Sequence, residues 1–274
     1  MTGRNTNMSL VQIGVVHSPV LERRDMPARG VRAEVEVFAA HEDGLLLIDC
    51  NTHLWVVGWY EGAERDQLQI VRPEYRSGQR RRGVFGLRST TRPNSLGVCA
   101  SKLIEVQGRR LVLDHLDFLD GTPVVDIRRY SPSWDAVFPA RSSRELMVEV
   151  EEAARLDILE MDASTFHDAV TPGVIAVARL MQRVVLDWRI LPRDNELSIS
   201  VPVTGKPGDL IDAFQGITAA SFGSDRLRIH AGNEFILSWR DKQLSAMPLT
   251  PEAMSVEKAR NLPLDELFAL VDGS

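Results

Sequence analysis

Along the first half of the chain, apolar residues fall in short runs or alternate with polar ones, a pattern that favours strands. Leu10–His17 is apolar and rich in Val and Ile, and Arg32–Phe38 alternates with period two, as a half-buried strand does. Gly44–Asp49 and Leu54–Trp59 predict two further strands. Leu103–Val106 and Arg110–Leu116 flank Gln107-Gly108, which reads as a hairpin turn. Asp117–Ile127 holds the turn formers Asp120-Gly121 and Thr122-Pro123 and reads as strand, tight turn, strand. Many short strands between Gly and Pro turns predict an all-β N-terminal domain, a barrel or a sandwich.

The period changes near Pro139. Ser142-Ser143-Arg144-Glu145 has the capping-box form, and Leu146, Val150, Ala153, Ala154 and Ile158 follow at helical spacing. A second helix is expected from Thr171-Pro172 toward Trp188, since proline is tolerated in a first turn. Strand Glu196–Val203, helix Gly208–Ala220, strands Arg226–His230 and Glu234–Arg240, and short helices near Pro251–Arg260 and Leu264–Val271 complete the reading. The expected architecture is therefore two domains, all-β over residues 8–139 and α+β over 142–274, with a boundary at about 138–142.

Composition narrows the class. Of 274 residues, 44% are hydrophobic and 26% charged, which excludes disorder, collagen and coiled coil as dominant states. The apolar runs at Gly44–Ile48 and Gly173–Ala178 fall far short of the ~20 residues that span a bilayer. The first ten residues lack an apolar leader, so no membrane span and a cytoplasmic location are expected. Cys50 and Cys99 are the only cysteines, too few for a disulfide framework or a thiolate metal cluster. Charge is uneven: residues 1–140 carry a net +1 and residues 141–274 a net −7, which suggests two units with different surfaces.

Three polar segments in the first half have the residue types that ligand binding needs. Gly83–Gly97 carries Arg88 and Arg92 among glycines with Pro93-Asn94, a loop that can aim guanidinium forks at an anion or remain a solvated surface loop. Asp117, Asp120 and Asp126 lie within ten residues, more carboxylates than a turn requires, and can accept from ligand hydroxyl or amino groups. Arg76–Arg82 is a basic run that is either solvated or phosphate-binding. A dinucleotide fingerprint, a Walker loop, a zinc-protease motif and a nucleophile elbow are all absent, and the six histidines are dispersed.

Residues from about 10 to 137 resemble the TsaA-like family, also called YaeB or TrmO. The resemblance rests on Ile13–Pro19, Thr52–Val56, Gly83-Val84-Phe85 with Arg88-Ser89 and Arg92-Pro93-Asn94, and Leu116–Ile127 with Tyr130. It implies a small β-barrel methyltransferase that uses S-adenosylmethionine, forms a homodimer, and methylates N6 of threonylcarbamoyladenosine 37 in tRNA. It further implies cofactor contacts at Ala28, Arg29, Gly30, Tyr60, Glu61, Arg88, Arg92, Val98, Asp120, Gly121, Thr122 and Pro123. Arg80, Arg81, Arg82 and Asn94 are the expected substrate contacts, and Tyr60, Glu61 and Asp126 the candidate bases. Arg88 suits the donor's carboxylate, and Asp120 or Glu61 its ammonium or ribose hydroxyls. Methyl transfer is an in-line displacement, so alignment carries most of the chemistry.

The family's Arg-Pro-Asn-Pro reads here Arg92-Pro93-Asn94-Ser95, its Asp-Ile-Lys-Pro-Tyr reads Asp126-Ile127-Arg128-Arg129-Tyr130, its Phe-Ser-His is Asn51-Thr52-His53, and its Phe-His is Trp59-Tyr60. The cofactor-side words are kept better than the rest. The second half is similar to the FmdE-like domains of formylmethanofuran dehydrogenase through Phe166–Gly173 and Asp212–Gly223. Ligand positions of that family are Ala169, Thr171 and Ala220 here, which leaves His167 alone, and one imidazole does not hold a metal. Three expectations follow: a methyltransferase acting on tRNA, one acting on another substrate of one-carbon or metal-cofactor metabolism, or a non-catalytic S-adenosylmethionine-binding adaptor.

Overall fold

The computed structural model describes residues 9–27, 29–71, 81–138, 140, 150–203, 208–249 and 254–273. The chain divides into two compact units, with the change at Val137/Phe138.

The first unit contains strands β1 (Gly14–His17), β2 (Val31–Val37), β3 (His53–Trp59), β4 (Gln69–Val71), β5 (Arg81–Gly83), β6 (Leu96–Gln107), β7 (Arg110–Leu116) and β8 (Pro123–Arg129), then the one-turn helix α1 (Pro132–Asp135). Six of them close a barrel in the order β1-β2-β7-β6-β3-β8, and β4 with β5 forms a separate ribbon. Closure comes from the antiparallel pairing of Gly14 with Val124 and Val15 with Pro123, which leaves these six strands no open edge. The period-two pattern dictates which side chains fill the barrel. Ala33, Val35 and Val37 point inward from β2, and Leu54 and Val56 from β3. They meet Val16, Leu111, Leu113, Leu116, Phe118 and Val124 in one core.

Several expectations change here. Gly44–Asp49 is not a strand: it lies in 3₁₀ turns at Ala39–Leu45 and Ile48–Cys50, with Leu46 and Leu47 exposed. An apolar run signals burial only where a partner strand exists, and the barrel's six places are taken. Strand β6 begins at Leu96, seven residues before the expected Leu103. The β6–β7 register pairs Gln107 with Arg110, so the hairpin loop is Gly108-Arg109 rather than Gln107-Gly108. Arg81 and Arg82, read as part of a basic loop, lie in β5.

The second unit contains helices α2 (Glu152–His167) and α3 (Pro172–Trp188), strand β9 (Ser198–Pro202), helix α4 (Gly208–Thr218), and strands β10 (Leu227–His230), β11 (Phe235–Trp239) and β12 (Lys242–Pro248). Helices α5 (Val256–Asn261) and α6 (Leu264–Leu267) and strand β13 (Phe268–Gly273) follow. Its sheet order is β10-β9-β11-β12-β13, with β9 and β10 parallel and the other pairs antiparallel. Helix α3 starts where Thr171 and Pro172 predict: the Thr171 hydroxyl accepts from the Val174 N–H at 3.1 Å. Val174, Val177, Met181 and Val185 of α3 pack with Phe214, Phe235 and Phe268 in the core.

The capping box at Ser142–Glu145 lies outside the described residues. Helix α2 buries Arg155, Leu159 and Ala163, not the expected Ala153, Ala154 and Ile158. The true face is displaced by one residue because it includes a charged side chain: buried Arg155 donates to the Val150 carbonyl. The expected helix Leu264–Val271 stops at Leu267, and Phe268–Gly273 instead pairs along β12. Among the described residues, no helix is long and apolar enough to cross a membrane.

Candidate functional site

One end of the barrel gathers most of the residues that the sequence singles out. Strands β6, β3 and β8 are neighbours, and their register aligns Gly97 with Gly58 and Gly58 with Val124. On the inner side of this row lies the buried Phe118 ring, and the Tyr60 ring packs against it tilted by 59°, at 5.7 Å between centroids. The position of Tyr60 is fixed by its own N–H, which donates to the Ser95 carbonyl at 2.7 Å. Gly97 leaves the space that both rings occupy. A Cβ there would come within 2.4 Å of Phe118 and 2.6 Å of Tyr60.

The arginine loop is held to this end by backbone contacts. Arg88 donates to the Val98 carbonyl on β6, and Arg92 to the Val84 carbonyl at 3.3 Å. The aspartate corner lies two strands away on β8, about 10 Å at the usual strand spacing. The Asp120 carboxylate accepts from the Ser18 N–H at 3.0 Å, and the Gly121 N–H donates to the Val16 carbonyl at 2.9 Å. The Thr122 hydroxyl, nearly buried, donates to the Leu119 carbonyl at 2.7 Å. An open concavity of about 430 Å³ lies beside the corner, lined by His17, Ser18, Arg32, Glu34 and Asp120 among others.

Asp117 is the electrostatic centre of this end. Its Oδ1 is buried and, among the described residues, has no hydrogen-bond partner. Arg23 donates to its backbone carbonyl at 2.9 Å. Burial, reinforced by the Asp117 charge, pushes the Tyr60 phenol up to about 12, with Arg23 and Arg88 opposing the rise. The same two causes push the Cys99 thiol up to about 12. Arg23, Arg88, Asp117, Cys99 and Tyr60 thus act on one another within one neighbourhood. Gly30, in a left-handed conformation at φ +85°, presses on the Leu116–Asp117 backbone, where a Cβ would meet Leu116 at 2.5 Å.

The structure therefore brings Gly30, Tyr60, Arg88 and Val98 to the Asp117 neighbourhood, with Thr122 reaching the Phe118 side through Gly58. Other candidates lie apart. Asp126 is in register with Val57, on the outer face, and its carboxylate accepts from Arg128 at 2.8 Å. Glu61 and Asn94 are exposed, as is Arg81, while Arg29 and Arg82 are half-buried. Ala28 and Arg80 lie outside the described residues. Sequence reasoning missed Arg23, Cys99 and Asp117 as members of the cluster. Asp117 stood in the acidic word and was legible there; Arg23, in an ordinary polar stretch, gave no signal.

In the second unit, His167 Nδ1 lies 2.9 Å from Asp212 Oδ2, and the Thr171 hydroxyl donates to Asp209 at 2.7 Å. Among the described residues, no three His, Cys, Asp or Glu side chains converge as a metal site.

Comparison with known proteins assigns the first unit to a described domain family. The model of the tRNA-methyltransferase O N-terminal domain matches residues 15–136. A protein of Archaeoglobus fulgidus named as a probable S-adenosyl-L-methionine-binding protein is 32% identical over 95% of this chain and 72% of its own length. A second protein of that organism, an S-adenosyl-L-methionine-binding protein, is 41% identical over 47% of this chain and 94% of its own length. The tRNA (adenine(37)-N6)-methyltransferase of Escherichia coli K12 is 34% identical over 48% of this chain and 61% of its own length. One relative thus matches about half of this chain over nearly all of its own length, and another matches nearly the whole chain. A relative that shares both units, together with the domain match over the barrel, shows that this chain belongs to the tRNA-methyltransferase O family.

Proposed function

We propose that this protein transfers a methyl group from S-adenosyl-L-methionine to N6 of (threonylcarbamoyl)adenosine 37 in tRNA, acting in the cytoplasm as a homodimer. Membership in the family supports the broader statement: the protein is an S-adenosyl-L-methionine-dependent methyltransferase. The observation that carries the site assignment is the gathering of Arg88, Asp117 and Tyr60 at the end of the barrel where Gly97 leaves room. These residues fit the donor's chemistry. A carboxylate with one buried oxygen that has no hydrogen-bond partner among the described residues suits a cationic ligand, and the Arg88 fork has donors beyond the one spent on Val98.

When bound, the donor supplies a methyl carbon made electrophilic by its sulfonium. With donor and acceptor both bound, the acceptor nitrogen would take that carbon as the C–S bond breaks and would then have one proton to release. Tyr60 does not collect it at neutral pH. With its phenol near 12, only about one molecule in 10⁵ is ionised at pH 7, so Tyr60 serves as a donor and a packing surface. Glu61, next to Tyr60 in the chain and exposed, remains the candidate base; Asp126 lies on the outer face, charge-paired with Arg128, and is set aside.

A second reading keeps the donor and changes the acceptor, or removes turnover altogether. The net charge of −7 over residues 141–274, which repels phosphates, favours it. In that reading the second unit, by its likeness to the FmdE-like domains of formylmethanofuran dehydrogenase, serves as a metal-free docking module. Incubation with methyl-labelled donor and bulk tRNA, followed by nucleoside analysis, separates the readings. Label in the adenosine at position 37 is expected; donor binding by calorimetry without label in tRNA would overturn the substrate. Unchanged donor binding by Arg88→Ala would overturn the site.

A further inference from the structure

The segment between β5 and β6 exposes an aromatic ring on a braced support. Phe85 is 77% exposed at the centre of a 3₁₀ turn spanning Val84–Gly86. The turn is fixed from beneath. Val84 is fully buried, its N–H donates to the Leu68 carbonyl at 3.0 Å, and its carbonyl accepts from Leu87 at 3.2 Å and from Arg92 at 3.3 Å. A phenyl ring left in water on a rigid support lacks the stabilisation that burial gives, and a ring held out in this way is available to a binding partner. Leu68 and Val71 on the adjoining ribbon are also exposed. Along the chain this segment is basic: residues 81–92 hold Arg81, Arg82, Arg88 and Arg92 and no carboxylate.

A fixed aromatic face within a basic stretch matches the requirements of unpaired nucleic acid, whose bases stack on the ring while arginines meet the phosphates. We infer that Phe85 is a stacking platform for a base of the RNA loop that presents the methyl acceptor, with Arg81 facing its backbone. The inference rests on the tRNA reading above and adds to it the residue that seats the loop. Arg88, three residues on, is the proposed donor contact, so one short segment would set acceptor and donor side by side. Phe85 is a positioning residue and takes no part in bond making.

The test uses the full chain and an anticodon stem-loop RNA with 2-aminopurine beside position 37. The wild-type protein is expected to quench the fluorophore by stacking. Phe85→Ala should abolish the quench and weaken RNA binding on the order of ten- to a hundredfold, with donor affinity unchanged by calorimetry. Phe85→Trp should restore both. With methylation as readout, KM for RNA should rise more than kcat falls. Phe85→Ala that binds and quenches as wild type overturns the platform while the tRNA reading stands. Quenching by a wild-type protein that never methylates RNA upholds the platform and overturns the methylation reading. Absence of wild-type RNA binding overturns both. A shift in oligomeric state with unaltered RNA binding means that a second copy covers Phe85, and overturns the inference.

Discussion

Gly97→Ala tests the packing on which the candidate site depends. The new Cβ would lie 2.4 Å from Phe118 Cε1 and 2.6 Å from both Cζ and the hydroxyl oxygen of Tyr60. Comfortable carbon contacts are about 3.5–4.0 Å, so each ring must retreat by roughly 1 Å. Phe118 has nowhere to go: it is fully buried, and the place of a Cβ on the paired Gly58 is already only 3.1 Å from the same ring. Tyr60, at the barrel's end and only partly buried, is the ring that gives way. Overpacking of this kind costs about 1–3 kcal/mol. Urea unfolding should show a lower midpoint with an unchanged slope. Calorimetry should show weaker donor binding, because the displaced Tyr60 lies beside Asp117 and Arg88. Gly44→Ala, where an added Cβ meets nothing within 4 Å, is the matched control and should stay within about 0.5 kcal/mol of wild type. Phe118→Leu should cost less in the Gly97→Ala background than alone, since the smaller side chain relieves the clash. Gly97→Ala with wild-type stability, or strictly additive costs in the double variant, would refute the packing.

Three more outcomes are expected. Tyr60→Phe should leave the pH dependence of methylation unchanged below pH 9, because a phenol near 12 does not titrate there; a lost limb in the profile would make Tyr60 a base. Asp114→Ala should destabilise the barrel by about 1–3 kcal/mol at pH 7, since it removes acceptors for the Ser101 hydroxyl at 2.9 Å and the Lys102 N–H at 2.8 Å. Burial alone would raise the Asp114 carboxyl, yet His115, Ser101 and Lys102 hold it well below the usual range. Its stabilisation is therefore complete above about pH 4, the unfolded value, and fades as pH falls further, so urea midpoints of wild type and variant should converge in acid. Gly173→Ala should destabilise the second unit by about 1–3 kcal/mol, because a Cβ would sit 2.2 Å from the Asp209 carboxylate that accepts from the cap Thr171; hydrogen exchange should report faster opening in α3 and α4.

The barrel was legible in the sequence where one face is buried. Period two in Arg32–Phe38 marks β2, and the Asp-Gly and Thr-Pro turn formers mark the corner before β8. Legibility failed where long-range pairing decides. Phe268–Gly273 becomes a strand only because β12 offers it an edge, and Gly44–Asp49 fails to become one because none is open. Ribbon β4–β5 is three residues on each side and carries two arginines, too short and too polar for a periodic signal. At the site, Arg88 and the Asp120–Pro123 corner could be named from the words that carry them. The convergence of Asp117, Cys99 and Tyr60 could not, because it is produced by strand order, with residues distant along the chain meeting at one end of a closed sheet.

The charged residues of this end share a double duty that follows from what methyl transfer requires. Arg88, Arg92 and Asp120 each spend at least one hydrogen bond on the protein backbone, at Val98, Val84 and Ser18. A guanidinium has five N–H donors in a rigid fork and a carboxylate about four acceptor positions, so one bond to the backbone leaves others for a ligand. The bond that is spent removes freedom the side chain would otherwise lose on binding. A displacement whose rate depends on alignment gains from this arrangement, because the groups that contact the ligand also hold the loop and the corner that carry them. By the resemblance, the words around Arg88 and Asp120 are kept, whereas the departures are Asn51-Thr52, Trp59-Tyr60, Ser95 and Arg128-Arg129. Buried Ser95 is the informative one: it keeps the carbonyl that anchors Tyr60 and adds a hydroxyl that, among the described residues, has no partner. The backbone bond that places the ring depends on the main chain alone, and so it survives the change of side chain.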